Sequence, residues 1–224
     1  MSAFNKSAGF QRSPMSLRSR NCDYGIIILF MAITQSTILP FEHGYSRIAY
    51  HRFEEGTCVS LSYGNLAEGA PIVRIHSSCL FGEAFHALDC DCAAQLNSTL
   101  TLIREYGKGV VIYQYAEGRG IGLEEKIHAL EIQRLKKVDT VEAFRSMGFN
   151  PDLRSYEIPL AALKDLKVAR TIKLASQNPN KLAAVTAAGF EVIEVLDPLI
   201  VVTKHNRPEL LTKKNKLGYS ITVV

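Results

Sequence analysis

The fold class is indicated by residues 110–123, which read VVIYQYAEGRGIGL. The first four residues, Val110 to Tyr113, form a short apolar run rich in β-branched side chains, which predicts a strand. The glycine-rich stretch from Glu117 to Leu123 predicts a turn, and a helix is predicted from about Leu123 to Lys137. A strand that leads through a turn into a helix is typical of proteins that mix both element types.

Three β-rich runs precede this stretch. They span Arg47–Phe53, Thr57–Tyr63 and Ala70–His76, are separated by turn residues, and predict a strand meander. After Cys92 the spacing of apolar residues becomes helical, with Leu96, Leu100 and Ile103 on one face, and Gly107 to Gly109 give a C-terminal stop signal.

Further elements follow the stretch. A strand is predicted at Thr171–Ala175, a helix at Lys181–Ala188 and a strand at Glu191–Leu196, a βαβ-like order. We therefore expect a mixed α/β (α+β) fold, a strand meander followed by alternating helices and strands, in a single domain over residues 36–202. Residues 203–224, rich in Lys, Asn and Arg, are predicted to be a mobile surface tail that could close over a ligand.

Composition narrows the class of protein. The chain has 224 residues, 47% hydrophobic and 21% charged, which is ordinary for a soluble globular protein and argues against membrane spanning. The formal charge of +4 is too small and too scattered for the basic stripe of a nucleic-acid binder. A compact anionic substrate is compatible with it.

The amino terminus superficially resembles a secretory signal, because arginines precede the apolar run at residues 25–33. However, Cys22, Asp23 and Tyr24 interrupt the approach, and no small-x-small cleavage site follows. We expect residues 1–35 to be a disordered extension, or translation to start at Met15 or Met31, and the protein to be cytoplasmic.

Three of the five cysteines cluster as Cys79-x10-Cys90-x-Cys92. An odd number of cysteines with three close together favours metal binding over a disulfide framework. Three thiolate ligands leave a coordination position free for water, as in catalytic zinc sites. Two alternatives stay open from the spacing alone: small buried core residues, or a closed site with His76 or His86 as a fourth ligand.

The residues around these cysteines carry a family resemblance. Residues 74–79 (RIHSSC) and 89–96 (DCDCAAQL) resemble the R-V-H-S-E-C and C-D-C-x-x-Q-L blocks of GTP cyclohydrolase II. Residues 117–123 with Lys126, residues 139–143 (DTVEA) and Asn178-Pro179-x-Lys181 match further blocks of that family, in the same order. The joint register over residues 38–202 indicates a divergent member of this family.

The resemblance implies an activity and a site. Zinc-dependent attack of water on C8 of GTP, or of a related purine nucleotide, would open the imidazole ring and release formate and diphosphate. The product would be a diaminopyrimidinone ribosyl phosphate, a riboflavin-type precursor. Magnesium would accompany the triphosphate, and the family members are typically homodimers. A carboxylate such as Glu117 could accept hydrogen bonds from guanine.

The same resemblance assigns roles to individual residues. Asp152 falls at the proposed proton acceptor and Arg154 at the residue thought to take up the nucleotidyl group, although a guanidinium suits phosphate clamping better. The remaining positions are implied zinc ligands (Cys79, Cys90 and Cys92) and implied nucleotide-binding residues (Arg74, Ile75, His76, Ser77, Ser78, Gln95, Glu117, Gly118, Arg119, Thr140, Ser176 and Lys181).

Departures from the family pattern leave the product open. Leu130 stands where the family carries a tyrosine implicated in hydrolysis, and leucine can neither donate a hydrogen bond nor relay a proton. Tyr115 is a conceivable substitute. The alternatives are a paralogue that stops at a formamidopyrimidine nucleotide, a paralogue that serves a specialised pathway, and a nucleotide-binding pseudoenzyme. A zinc module for nucleic acid fits poorly with the modest charge.

Overall fold

The computed structural model describes residues 35–42 and 44–222. Of the predicted extension 1–35, Gln35 alone belongs to the described residues, and residues 1–34 lie outside them. The described strands are β1 Gln35–Phe41, β2 Gly44–Phe53, β3 Gly56–Tyr63, β4 Ile72–Ser77, β5 Gly109–Gln114, β6 Thr171–Ala175 and β7 Glu191–Leu196. The described α-helices are α1 Leu80–Glu83, α2 Cys92–Tyr106, α3 Leu123–Lys136, α4 Thr140–Ser146, α5 Glu157–Asp165, α6 Pro179–Ala187 and α7 Arg207–Leu217, and a 3₁₀ turn spans Glu117–Gly120.

These strands form one sheet in the order β1-β2-β3-β5-β4-β6-β7. The first half, β1 to β3 and then β5, is antiparallel. The second half is parallel, with β4 between β5 and β6 and with β7 beside β6. The mixed α/β class is confirmed. The predicted meander is correct for β2 and β3 but wrong for the third run, because β5 lies between β3 and β4.

The parallel half of the sheet is covered on both faces. On one face Val73, Ile75, Ile112 and Leu174 pack with residues of α5 and α6 in the main core. On the other face Ile72 and Val111 pack against Ile103 and the partly buried leucines of α2. Parallel strands are stable only when both faces are covered, which explains why β4 and β5 are almost continuously apolar.

The segment after residue 203 differs from the expected mobile tail. Helix α7 has Pro208 in its first turn and Gly218 as a left-handed C-cap, the usual start and stop residues. Leu210 is fully buried, and Lys213 is buried as well. The helix packs on α4 and carries side chains into the site described below. Every helix in residues 35–42 and 44–222 is too short or too polar to cross a bilayer.

Candidate active site

The site lies at the carboxyl ends of the parallel strands. Because β4, β5 and β6 run in the same direction, the residues that follow them meet at one edge of the sheet. Ser78 and Cys79 follow β4, Glu117 follows β5 and Ser176 follows β6. The family blocks that are far apart in the sequence are therefore adjacent in the fold.

The three cysteines form a compact cluster. Their Sγ atoms all lie within 4.8 Å of one another, and those of Cys79 and Cys90 are 3.6 Å apart. Sulfur atoms around one tetrahedral zinc lie about 3.8 Å apart, because the Zn–S bond is about 2.3 Å long. Cys79 precedes α1 and Cys92 begins α2, so two helix starts hold the cluster in place. The donor set and the spacing fit a zinc ion.

Gly82 makes the cluster possible. A Cβ atom at this position would lie 2.6 Å from the Sγ atom of Cys90 and 3.3 Å from that of Cys79. Any side chain would therefore overlap the space that the sulfurs occupy. The glycine in α1 is required for close approach to the cysteines.

Hydrogen bonds and a nearby positive charge shift the pKa values of the thiols in the cluster. Hydrogen bonds from Cys90 and Cys92 hold the pKa of the Cys79 thiol well below its ordinary value, and the Lys126 ammonium lies 3.4 Å from its sulfur. Donating to Cys79 raises the pKa of Cys90 to about 11. Lys126 also donates to Glu117 Oε1 at 2.6 Å, and the backbone N–H of Leu80 donates to Glu117 Oε2. Glu117 thus holds the Lys126 ammonium beside the Cys79 sulfur.

His76 is not a fourth ligand in this arrangement, and neither is His86. Arg74 Nε donates to His76 Nδ1 at 3.0 Å, so the other nitrogen, Nε2, carries the proton and donates to Glu83 at 2.9 Å. Burial lowers the pKa of His76 to about 4, which keeps the ring neutral. His86 is exposed. The alternative of a closed four-ligand site is therefore not favoured.

The turn at Glu117–Gly120 is tied to the segment that carries Arg154. Gly118, Arg119 and Gly120 all have positive φ angles, so the backbone coils tightly there. A Cβ atom on Gly120 would meet the Leu153 carbonyl carbon at 3.0 Å, and Leu153 N donates to Arg119 O at 2.9 Å. This contact brings the Arg119 and Arg154 side chains to the same cavity.

Arg154 is held by a two-point ion pair. Its Nε donates to Asp152 Oδ1 at 2.8 Å and its Nη2 to Asp152 Oδ2 at 2.5 Å. Although burial opposes it, the Asp152 hydrogen bond raises the pKa of Arg154 above its ordinary value. Nη1 points to Ser77 Oγ at 3.5 Å, and Nη2 also donates to the hydroxyl of Tyr219. The guanidinium is permanently charged and fixed.

A second cation lies buried nearby. Lys181 lies in the first turn of α6, after the N-cap Asn178, and donates to the carbonyl of Ile75 at 2.7 Å. Burial and then the positive charges of Arg154 and Arg74 lower its pKa well below the ordinary value. This crowding of cations would be relieved by an anionic ligand.

The predicted residues share one cavity of about 300 Å3, within the usual size range for small-ligand sites. It is lined by all the sequence-predicted site residues except Ile75 and Asp152. The side chain of Ile75 faces the opposite core, since neighbours along a strand alternate between faces. Asp152 acts on the cavity only through Arg154.

The sequence analysis did not assign site residues to α7 and its flanks, although several line the cavity. Glu209 accepts hydrogen bonds from Arg119 and, at 2.6 Å, from the hydroxyl of Thr140. Its carboxylate thus contacts two predicted nucleotide-binding side chains. The other lining residues of α7 and its flanks are His205, Pro208, Thr212, Lys213 and Tyr219.

Comparison with known proteins agrees with this arrangement. GTP cyclohydrolase-2 of Archaeoglobus fulgidus is 41% identical over 191 residues, which cover 84% of this chain and 50% of that protein. Riboflavin biosynthesis protein RibBA of Aquifex aeolicus is 43% identical, over 82% of this chain and 46% of its own length. The chain thus spans about half the length of these two relatives. It spans 86% of the GTP cyclohydrolase-2 of Shewanella amazonensis, at 39% identity over 78% of this chain.

Among solved structures, RibBX, a two domain 3,4-dihydroxy-2-butanone 4-phosphate synthase from A. baumannii, matches with a TM-score of 0.38 and 14% identity. The match covers 75% of this chain and 39% of that chain, and the likeness is too low to support an argument. The sequence profile described as GTP cyclohydrolase II matches residues 32–197, which contain the whole described sheet and both cysteine blocks. The chain belongs to the GTP cyclohydrolase II family.

Proposed function

We propose that the protein hydrolyses GTP at C8 of guanine in a zinc-dependent reaction, with imidazole ring opening and release of formate and diphosphate. The observation that carries this proposal is the three-cysteine cluster in the wall of the same cavity as Arg154 and Lys181. A metal site at one end and buried cations at the other match a nucleotide whose base reacts while its phosphates are held.

Cys79, Cys90 and Cys92 would hold the zinc ion. When bound, zinc supplies a Lewis acid and lowers the pKa of water towards neutrality. Next to these cysteines the Lys126 ammonium is held in place by its ion pair with Glu117, and it contacts the Cys79 sulfur. Both Glu117 oxygens already accept protein hydrogen bonds, so we assign Glu117 to holding Lys126 and the start of α1 rather than to reading guanine.

The phosphate end is assigned to Arg154, Lys181 and Arg119. Arginine forks suit phosphate oxygens because they donate two parallel hydrogen bonds. A nucleophilic role for Arg154 would require a neutral guanidinium, whereas its pairing with Asp152 raises its pKa. We therefore assign Arg154 to clamping phosphate and Asp152 to orienting it. Magnesium would accompany the triphosphate, as is usual for such groups.

The test is mass spectrometry of the products formed from GTP with zinc and magnesium. From the wild type we expect one product, a nucleotide that has lost C8 as formate and two phosphates as diphosphate. Cys90→Ser should lose both the bound zinc and the activity. Cys58→Ala is the matched control, because Cys58 is a buried free cysteine outside the cluster. Tight GTP binding with no product from zinc-loaded protein would indicate a pseudoenzyme and overturn the proposal.

Leu130 favours a second candidate, in which ring opening stops at the formamidopyrimidine nucleotide. Leu130 lines the cavity, where the resemblance places a tyrosine, whereas Tyr115 is 61% exposed and does not line it. Tyr219 does line the cavity, but its hydroxyl is bonded to Arg154 at the phosphate end. The second candidate predicts diphosphate release without formate, and formate release restored in Leu130→Tyr. Stoichiometric formate from the wild type would exclude it.

The pathway and the assembly are also proposals. We expect the protein to act in the cytoplasm as a homodimer, and light scattering after size-exclusion chromatography tests the dimer. We expect service in riboflavin synthesis or in a specialised pathway that uses the same kind of pyrimidine. Full rescue of a flavin auxotroph would favour the former, and ring-opening activity in vitro without rescue would favour the latter.

A further inference from the structure

A buried ion pair joins helix α7 to the loop that carries two of the cysteines. Lys213 Nζ donates to Asp91 Oδ1 at 2.7 Å, and the Asp91 side chain has no exposed surface. Asp91 stands between Cys90 and Cys92. Burial lowers the pKa of Lys213, but Asp91 and the other negative charges nearby together outweigh burial and raise it.

Asp91 is also connected to strand β4 by hydrogen bonds through Gln95. Its second oxygen, Oδ2, accepts from Gln95 Nε2 at 2.5 Å, and Gln95 Oε1 accepts from Arg74 Nη2 at 2.8 Å. Arg74 is anchored to the sheet by a further hydrogen bond to the carbonyl of Ala175. The loop of Cys90 and Cys92 is therefore attached to both α7 and β4.

The same chain of hydrogen bonds continues to the other side of the cysteine cluster. Arg74 donates to His76, His76 donates to Glu83, and Glu83 accepts a 2.8 Å bond from the Tyr113 hydroxyl. Glu83 belongs to α1, the helix that begins directly after Cys79. One continuous network, from Lys213 to Tyr113, thus contacts the segments that carry all three cysteines.

We propose that Lys213 is a positioning residue for the metal site, through which α7 holds the loop of Cys90 and Cys92 in place. The inference rests on the proposed zinc site. Without Lys213 the Asp91 carboxylate would be left buried and unpaired, and the loop would rearrange to solvate it.

This role differs from direct binding of substrate, which is the competing explanation because Lys213 also lines the cavity. A phosphate-binding lysine would affect nucleotide affinity and leave zinc affinity unchanged. A positioning lysine affects zinc affinity in the absence of any nucleotide. Partners of this kind typically change metal affinity about 10- to 100-fold.

The experiment measures zinc affinity by competition with a chromogenic chelator, without nucleotide, and the visible spectrum of the cobalt-substituted protein. Lys213→Met should weaken zinc binding about 10- to 100-fold and shift the cobalt–thiolate bands. Lys214→Met is the matched control, since Lys214 is the exposed neighbour on the same helix, and it should leave both readouts unchanged.

Tyr113→Phe tests the far end of the network and keeps the ring, so it applies even if Lys213→Met does not fold. It should weaken zinc binding about threefold or more, a loss smaller than that from Lys213→Met. Unchanged zinc affinity and cobalt spectrum in a folded Lys213→Met, or in Tyr113→Phe if that variant alone folds, would overturn the inference. A wild type that binds no zinc would instead overturn the proposed function.

Discussion

Arg154 and Asp152 form a buried, two-point ion pair in which the carboxylate faces the guanidinium edge-on, at 2.8 Å and 2.5 Å. Their side chains are only 7% and 12% exposed. This geometry determines where the positive charge of Arg154 is directed, because the remaining nitrogen, Nη1, is aimed towards Ser77 and the cavity.

Asp152→Asn should therefore weaken both stability and nucleotide binding. Removing one charge of a buried pair costs about 3 kcal/mol in free energy of unfolding. A looser Arg154 should also raise the Kd of a non-hydrolysable GTP analogue about tenfold or more. Urea denaturation and calorimetric titration measure the two effects.

The chain offers a matched control for this substitution. Arg134 and Glu131 form a similar two-point pair, but it lies on the surface of α3, where its side chains are 65% and 50% exposed. Glu131→Gln should leave the denaturation midpoint and the Kd close to wild type. Equal effects of the two substitutions would contradict the assigned role of Asp152.

Glu209→Gln should tighten nucleotide binding. The Glu209 carboxylate accepts from Arg119 and Thr140, both predicted to contact the nucleotide, so a phosphate or another ligand group must displace it. Removing its charge should lower the Kd of the GTP analogue about tenfold, or about 1.4 kcal/mol. Glu142→Gln, on the exposed side of α4, is the control. Weaker binding by Glu209→Gln would show that Glu209 contributes to the site instead.

Gly82→Ala should remove most of the bound zinc. The added methyl group would lie 2.6 Å from the Cys90 sulfur, so either the sulfur or α1 must move. Because zinc requires near-tetrahedral geometry, we expect zinc stoichiometry to fall by at least half after dialysis against a weak chelator. Ala84→Ser, at an exposed position two residues later, should retain it. Full zinc retention by Gly82→Ala would show that the site tolerates a side chain at this position and would contradict the requirement for glycine.

His51 should make the fold sensitive to acid, independently of the metal site. Its side chain is fully buried on β2, bonded to Ser60 and to Asp165 of α5, and burial lowers its pKa below the ordinary value. The unfolded chain binds a proton below about pH 6.5 while the folded chain does not. The stabilisation is therefore complete above about pH 6.5 and is lost as pH falls towards the lowered pKa of the folded state.

The measurement is the free energy of unfolding against pH for the wild type and His51→Gln. The gap between the two curves should narrow below about pH 6.5. His128→Gln, which removes an exposed imidazole on α3, should follow the wild-type curve at all pH values. A gap that widens in acid would mean that the Asp165 carboxylate outweighs burial and raises the pKa of His51 instead.

Much of the site could be predicted from the sequence because its residues lie in contiguous blocks. Cys79, Cys90 and Cys92 come together as expected, and the strands at Thr171–Ala175 and Glu191–Leu196 have the predicted bounds. The same blocks include Ile75, whose side chain lies in the main core, so its assignment as a binding residue stays a prediction. The strand predicted there already implied that the side chains of Arg74 and Ile75 face opposite sides of the sheet.

Other features depend on information that local patterns do not carry. The position of β5 between β3 and β4 is set by how the chain returns to the sheet after α2, which strand propensities do not specify. Helix α7 is mostly polar and buries few side chains, so hydrophobic periodicity gave little signal. Pro208 and Gly218 could have marked its ends, but only the structure shows that its Lys213 contacts Asp91.

The contact between Asp91 and Lys213 also has a consequence for biosynthesis. The two residues are 122 positions apart in the chain. At about 5–20 residues per second, a ribosome adds Lys213 about 6–24 s after Asp91. During that interval Asp91 lacks its partner on α7, and by the proposal above the thiols beside it would be open to oxidation or to capture of other soft metal ions. If Lys213 positions the metal site as proposed, faithful zinc loading has to wait until helix α7 has been made.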